Sequence, residues 1–159
     1  MEKSFAYHRS VAPMVWAFAS LAVIEMLVVH LFLTLRWPVV GWTLFAFSAA
    51  SLIWLVHWIR SFRQCPHVLA NGNLELRTGS LALLKVPLAG IEGVATHWSD
   101  GEHKHAGAAN VVPLAYPNRM LRLKVPIKTR KGACDRVAFR VDEVAPFDAA
   151  MEELGIPVR

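Results

Sequence analysis

The sequence predicts a membrane α-helical hairpin followed by an all-β sandwich or barrel that a C-terminal helix closes. Three observations carry this. The chain has 159 residues and is 55% hydrophobic, with a mean hydropathy of +0.37, too apolar for an ordinary soluble domain. The apolar residues concentrate before Arg60 and the charge lies mostly after it. Beyond His67 the long apolar runs give way to short stretches that alternate between apolar and polar residues.

Val11 to Leu35 holds one carboxylate and one histidine, and Val39 to Ile59 is interrupted only by His57. A bilayer core needs about 20 apolar residues per helix, so both runs qualify as spans. No small-residue cleavage site follows the first run and a second begins almost at once, so it reads as a span rather than a cleaved leader. Arg36-Trp37-Pro38 is the whole connection, which makes a tight antiparallel hairpin. Lys3 and Arg9 flank the first run and Arg60 and Arg63 the second, whereas only Arg36 marks the turn. The bias of basic residues toward the cytoplasmic side puts both termini there. Trp16, Trp37, Trp42 and Trp58 fall near the span ends as interfacial anchors, and Trp54, deeper, is expected to pack. Residues 1–63 form the hairpin and 64–159 the aqueous domain on this reading. Cys65 and Cys134 belong to no CxxC and face a reducing compartment, so free thiols are expected.

In the second half, "HVLANGNLELRTGSLALLKVPL" reads as three strands joined by turns at Asn71-Gly72 and Thr78-Gly79-Ser80. Ile91 to Trp98 is a fourth strand and Val111 to Leu114 a short fifth. In "RMLRLKVPI", Leu121, Leu123, Val125 and Ile127 share one face and Met120, Arg122 and Lys124 the other. In "RVAFRV", Val137, Phe139 and Val141 alternate with Arg136, Ala138 and Arg140. The basic loop "KTRKGACD" joins the two. Pro146 suits the first turn of a final helix, Phe147, Ala150, Met151 and Leu154 make its apolar stripe, and Gly155 with Pro157 ends it.

This order resembles the small bacterial membrane proteins that carry a bacterial pleckstrin-homology-like (bPH) domain. Gly79, Pro87, Leu88, Ile91, Val94, Asp142 and Phe147 match its pattern of a strand-Gly-strand unit, an Ile-containing segment, a last strand ending in Asp and a capping helix with a Phe. The resemblance covers nearly the whole chain, leaves out the loop from Ser99 to Asn110, and implies a PH-like sandwich in a bacterial inner-membrane protein. It implies little about activity.

Three features invite a functional reading. Glu25 lies near the middle of its span, where an ionised carboxylate is costly. Across the hairpin it falls level with Ser48, with Ser51 one turn away. A protonated Glu25 bonded to either serine would clasp the hairpin, with Ala46, Ala49 and Ala50 allowing close approach. A contact with another membrane subunit and a proton or ion site are the alternatives. His30 is about 140° around the helix from Glu25, so no relay within this helix is expected, and it sits nearer the outer interface. His57 reads as an interfacial histidine.

"HWSDGEHKHAG" offers His97, His103 and His105, with Asp100 and Glu102, as weak metal ligands without a fixed fourth position. A solvated loop is the simpler account. The third feature is the basic strip: Arg122, Lys124, Arg136 and Arg140 on the outer sheet face, with Lys128, Arg130 and Lys131 in the loop. It suits anionic headgroups or a partner, or is an ordinary solvated face. Nucleic acid is disfavoured, because no binding motif and no interleaved aromatics accompany it. No nucleophile elbow, P-loop, dinucleotide fingerprint or HExxH is present, and no cofactor is called for. The expected function is a membrane-anchored, non-catalytic binding module, an accessory or assembly subunit whose partners are membrane lipids and other integral membrane subunits. The alternative is a small metal- or proton-handling membrane protein using Glu25 and the His97–His105 loop.

Overall fold

A computed structural model describes residues 2–99, 101–105, 107–112, 115–129 and 132–159, with the side chains of Ser10 and Lys104 left aside. Asp100, Arg130 and Lys131 fall outside it. Two helices, α1 (His8–Arg36) and α2 (Pro38–Gln64), are joined by Trp37 alone. Pro38 opens α2, where its missing N–H costs nothing. The backbones touch at the turn: a Cβ on Gly41 would stand 2.8 Å from the Thr34 backbone. Both helices are long and apolar enough to cross a membrane, and only 11% and 6% of their most apolar windows are buried inside the chain. A core helix of a soluble protein is mostly buried; these present their leucines, valines and phenylalanines outward. Trp54 departs from the expected packing role. It is 55% exposed and stacks on Trp58, its neighbour one turn on.

The remainder is a β domain of two four-stranded sheets and a helix. The first sheet runs β1 (Lys3–Phe5), β2 (His67–Ala70), β3 (Asn73–Thr78), β4 (Ala82–Pro87), all antiparallel. The strand β1 is absent from the sequence reading, which gives all of 1–63 to the hairpin. It pairs Lys3 with Leu69 and Phe5 with His67, so the chain leaves this sheet, makes both helices and returns beside its starting point. In the second sheet β5 (Ile91–Ala95) pairs with β7 (Arg119–Thr129), β7 with β8 (Gly132–Phe139), and β8 in parallel with β6 (Ala108–Asn110). The fifth strand expected over Val111 to Leu114 therefore lies earlier, and Pro113 and Leu114 fall outside the described residues. The C-terminal tail covers the β5 edge, with Val94 N–H donating to the Pro157 carbonyl and Arg159 N–H to that of Val94.

The core lies between the sheets and under α3 (Val144–Glu153). Leu74, Leu76, Val86, Leu121, Val137, Phe139, Phe147 and Met151 are sealed from solvent. Phe147 meets Phe5 and Phe139 edge-on at 5.1 and 5.2 Å. Two expected core residues differ. Val125 is 67% exposed, because the β7–β8 register slips between Arg122 and Ile127, around Pro126, which has no N–H to pair. Leu154 is outside and Ile156 takes its place. The helix ends at Glu153, and Gly155 (φ 72°) reverses the chain so that Ile156 N–H donates to the Met151 carbonyl and Gly155 N–H to that of Glu152.

Candidate functional site

The base of the hairpin and the β domain meet in a buried junction. Tyr7 at the N-cap of α1 and Val11, Val15 and Ala19 along it, four residues apart, pack with Ile59 and Phe62 of α2. The β3–β4 turn plugs into this base. Gly79 N–H donates to Tyr7 Oη at 2.6 Å and Ser80 N–H to Ser61 Oγ at 3.0 Å. Gly79 is at φ 55° against Ser61 Oγ and the Phe62 ring, so only a residue without a Cβ fits. Burial pushes the Tyr7 phenol up to about 12, against the opposing effect of the Gly79 bond.

His67, the first residue of β2, stacks on Tyr7 with ring centres 4.4 Å apart. Its Nδ1 accepts from Arg77 N–H at 3.0 Å, so the ring proton lies on Nε2, which donates to the Arg140 carbonyl at 3.1 Å. Both nitrogens are satisfied in the neutral ring. Burial holds its pKa down to about 4, against the Arg140 carbonyl and the nearby Asp142 charge. Asp142 completes the joint. Tyr7 caps α1 without a side-chain bond of its own, and Asp142 Oδ2 instead accepts from Arg9 N–H at 2.9 Å, a cap supplied by another element. Asp142 N–H in turn donates to the Ala6 carbonyl at 2.7 Å.

On the hairpin, Glu25, His30, Ser48 and Ser51 line one groove of about 480 Å³ together with Met26, Phe47 and other apolar side chains. The groove brings Glu25 together with Ser48 and Ser51, which the sequence places level across the hairpin, and also takes in His30, which helix geometry sets about 140° away. The clasp itself is not made. Glu25 is exposed, and among the described residues it has no hydrogen bond to either serine; Ser51 Oγ donates to the Phe47 carbonyl of its own helix at 2.9 Å. A helix residue's hydroxyl satisfied by the preceding turn has no need of the carboxyl. His30 turns inward against Phe45, its Nδ1 on the Met26 carbonyl at 2.6 Å, and its buried Nε2 has no partner.

The basic strip is not an open sheet face. Met120 and Ala138, expected beside the arginines, are buried with Ala95 under Trp98. Glu102 lies over the same face, 2.8 Å from Arg136 and 3.8 Å from Arg122. Arg140 donates to the Tyr116 carbonyl. Lys124 and Lys128 remain exposed. β8 ends and β7 begins beside the helix base, where Arg140 and Asp142 bond to His67 and Ala6. The end of β7 at Thr129, with Lys128, is therefore at the far end of these strands, roughly 30 Å of chain away at about 3.3 Å per residue.

The described part of the histidine loop lies over this face. His97 Nδ1 is 2.9 Å from Thr96 Oγ1, His103 is buried against the edge of Tyr116 at 5.0 Å, and His105 is exposed. Among the described residues no three His, Cys, Asp or Glu side chains are grouped to hold a metal. Cys65 and Cys134 are free, and burial pushes the Cys134 thiol up. These features define a membrane-type helical hairpin locked to a two-sheet β domain. Comparison with protein-family models, curated proteins and solved structures finds no match to the chain.

Proposed function

We propose that the chain is a membrane-anchored, non-catalytic binding module of a bacterial inner membrane, an accessory or assembly subunit whose PH-like domain is held at the cytoplasmic surface. The groove around Glu25 carries this reading. A carboxyl near mid-bilayer with no hydrogen bond among the described residues is costly, and a helix from another subunit, supplying a donor at the depth of Glu25, relieves it. Two sheets closed by a C-terminal helix support the PH-like assignment, and the junction at Tyr7, Gly79 and Asp142 supports a domain presented at fixed height above the bilayer. The exposed Lys124 and Lys128 then face an aqueous partner rather than the bilayer. Two helices enclose no pathway, which counts against transport by the single chain.

The test compares Glu25→Leu and Glu25→Gln in the native membrane, scoring insertion, subunits retained in mild detergent, and growth. The Leu variant should insert and fold but lose its co-purifying subunit, with Gln retaining it. A Leu variant that keeps its subunit refutes the contact. An inserted Gln variant that keeps the complex yet has no function points to proton handling instead.

A further inference from the structure

We infer that the tip of the β3–β4 hairpin, Leu81 and Leu83, rests in the headgroup–acyl boundary of the bilayer that α1 and α2 cross. The inference rests on reading those helices as spans and adds a third point of membrane contact to them. Height is the first argument. The tip is tied by Tyr7 and Ser61 to the start of α1 and the last turns of α2. Ser61 stands between Arg60 and Arg63, three residues beyond Trp58, where the apolar surface of the hairpin gives way to charge. The turn is therefore at headgroup depth, whichever way the domain leans beyond it.

Exposure is the second. Leu81 is 51% and Leu83 48% exposed, and β4 is an edge strand of its sheet. Its inner positions, Leu84 and Val86, pack on the core. Along the outer face the order from the helix base is Leu81, Leu83, Lys85: apolar nearest the hairpin, charged farther out. The neighbouring strand matches, with Arg77 opposite Leu83 and Glu75 opposite Lys85. Glu75 holds Arg77 and Lys85 at 2.8 Å each, so the first ion pairs appear just above the leucines. An interfacial element has this grading, with aliphatic side chains in the boundary and long cationic ones reaching for water. Val125, equally apolar and more exposed, lies within the register slip of β7, six residues along the strand from its start beside the helix base, and serves as the contrast.

The experiment uses the full chain with Cys65→Ser and Cys134→Ala, reconstituted in phosphatidylethanolamine–phosphatidylglycerol vesicles. Spin labels are placed singly at Leu81→Cys, Leu83→Cys, Val125→Cys and, on α2, Phe47→Cys. Collision with oxygen and with a water-soluble nickel chelate is measured at each. Labels at 81 and 83 should favour oxygen severalfold over the label at 125, at a depth shallower than the label at 47. If 81 and 83 meet the chelate as freely as 125 while 47 stays oxygen-rich, the tip is in water and the inference fails with the spans intact. If 47 also meets the chelate, the spans fail and take the inference with them. Low collision with both reagents at 81 and 83 marks a protein contact, such as a second copy, and equally overturns it.

Discussion

Acidifying the protein from pH 7 to pH 4 should cost it stability through one side chain, His67. The ring is neutral in the fold, and a proton on Nδ1 would face the Arg77 N–H that now donates to it. Its pKa is held to about 4 in the fold against 6.5 in the unfolded chain. Between those values the unfolded state binds the proton and the native state does not, so stability rises with pH across that window. The contribution is complete above pH 6.5 and gone by pH 4. At about 1.4 kcal/mol per pH unit, the gap amounts to about 3 kcal/mol. The Glu75 carboxyl, held below the usual carboxylate range by its hydrogen bonds to Arg77 and Lys85, adds a further loss at the acid end. The comparison is therefore between wild type and His67→Gln in detergent, by thermal melting at stepped pH. The variant should be less stable at pH 7 and should lose about 3 kcal/mol less on the way to pH 4. Ring nitrogen shifts by NMR give the midpoint and the Nε2–H tautomer directly. A midpoint near 6.5, or parallel acid limbs for the two proteins, refutes the buried neutral ring.

Gly79→Ala should destabilise the junction by about 2 kcal/mol, because it combines left-handed strain with collision at Ser61 and Phe62; Gly72→Ala, at φ 73° in open space, should cost about half that in the same melt. Asp142→Ala should cost about 1 kcal/mol and speed hydrogen exchange at the Arg9 amide, since the cap of α1 is lost. A cysteine at Val125 should be shielded from an impermeant maleimide in intact cells and react after lysis; labelling from outside would reverse the proposed orientation. Cys134 is unsuited to that measurement, being buried with its thiol pushed up.

Long patterns were legible in the sequence and tertiary substitutions were not. The two spans, the alternation in β3 and β8 and the stripe of α3 repeat over enough residues to declare themselves. Three residues of β1 do not: Lys3-Ser4-Phe5 becomes a strand only because the hairpin returns His67 to its side. Val125 follows the inward period until Pro126 breaks the ladder. The basic strip looks solvated from its own strands, because its cover, Trp98 and Glu102, comes from a loop with no periodic signal. At the groove, sequence spacing places Glu25, Ser48 and Ser51 at one level and cannot say which way each side chain turns. The junction was the main omission. Its one available signal was spacing: Tyr7, Val11 and Val15 recur every fourth residue, and His67 shares the inward face of β2 with Leu69.

The pairing of β1 with β2 also dictates an order of biogenesis. The two strands are separated by roughly sixty residues, a long loop to close by chance. An inserted hairpin removes that search, because it delivers Phe5 and His67 to the same place. It also requires both to be on the same side of the bilayer, independently of any bias in basic residues. A ribosome has released β1 long before β2 exists, so the first sheet cannot close until both helices have been made. A chain whose second helix fails to insert leaves its opening strand without a mate and the junction unformed.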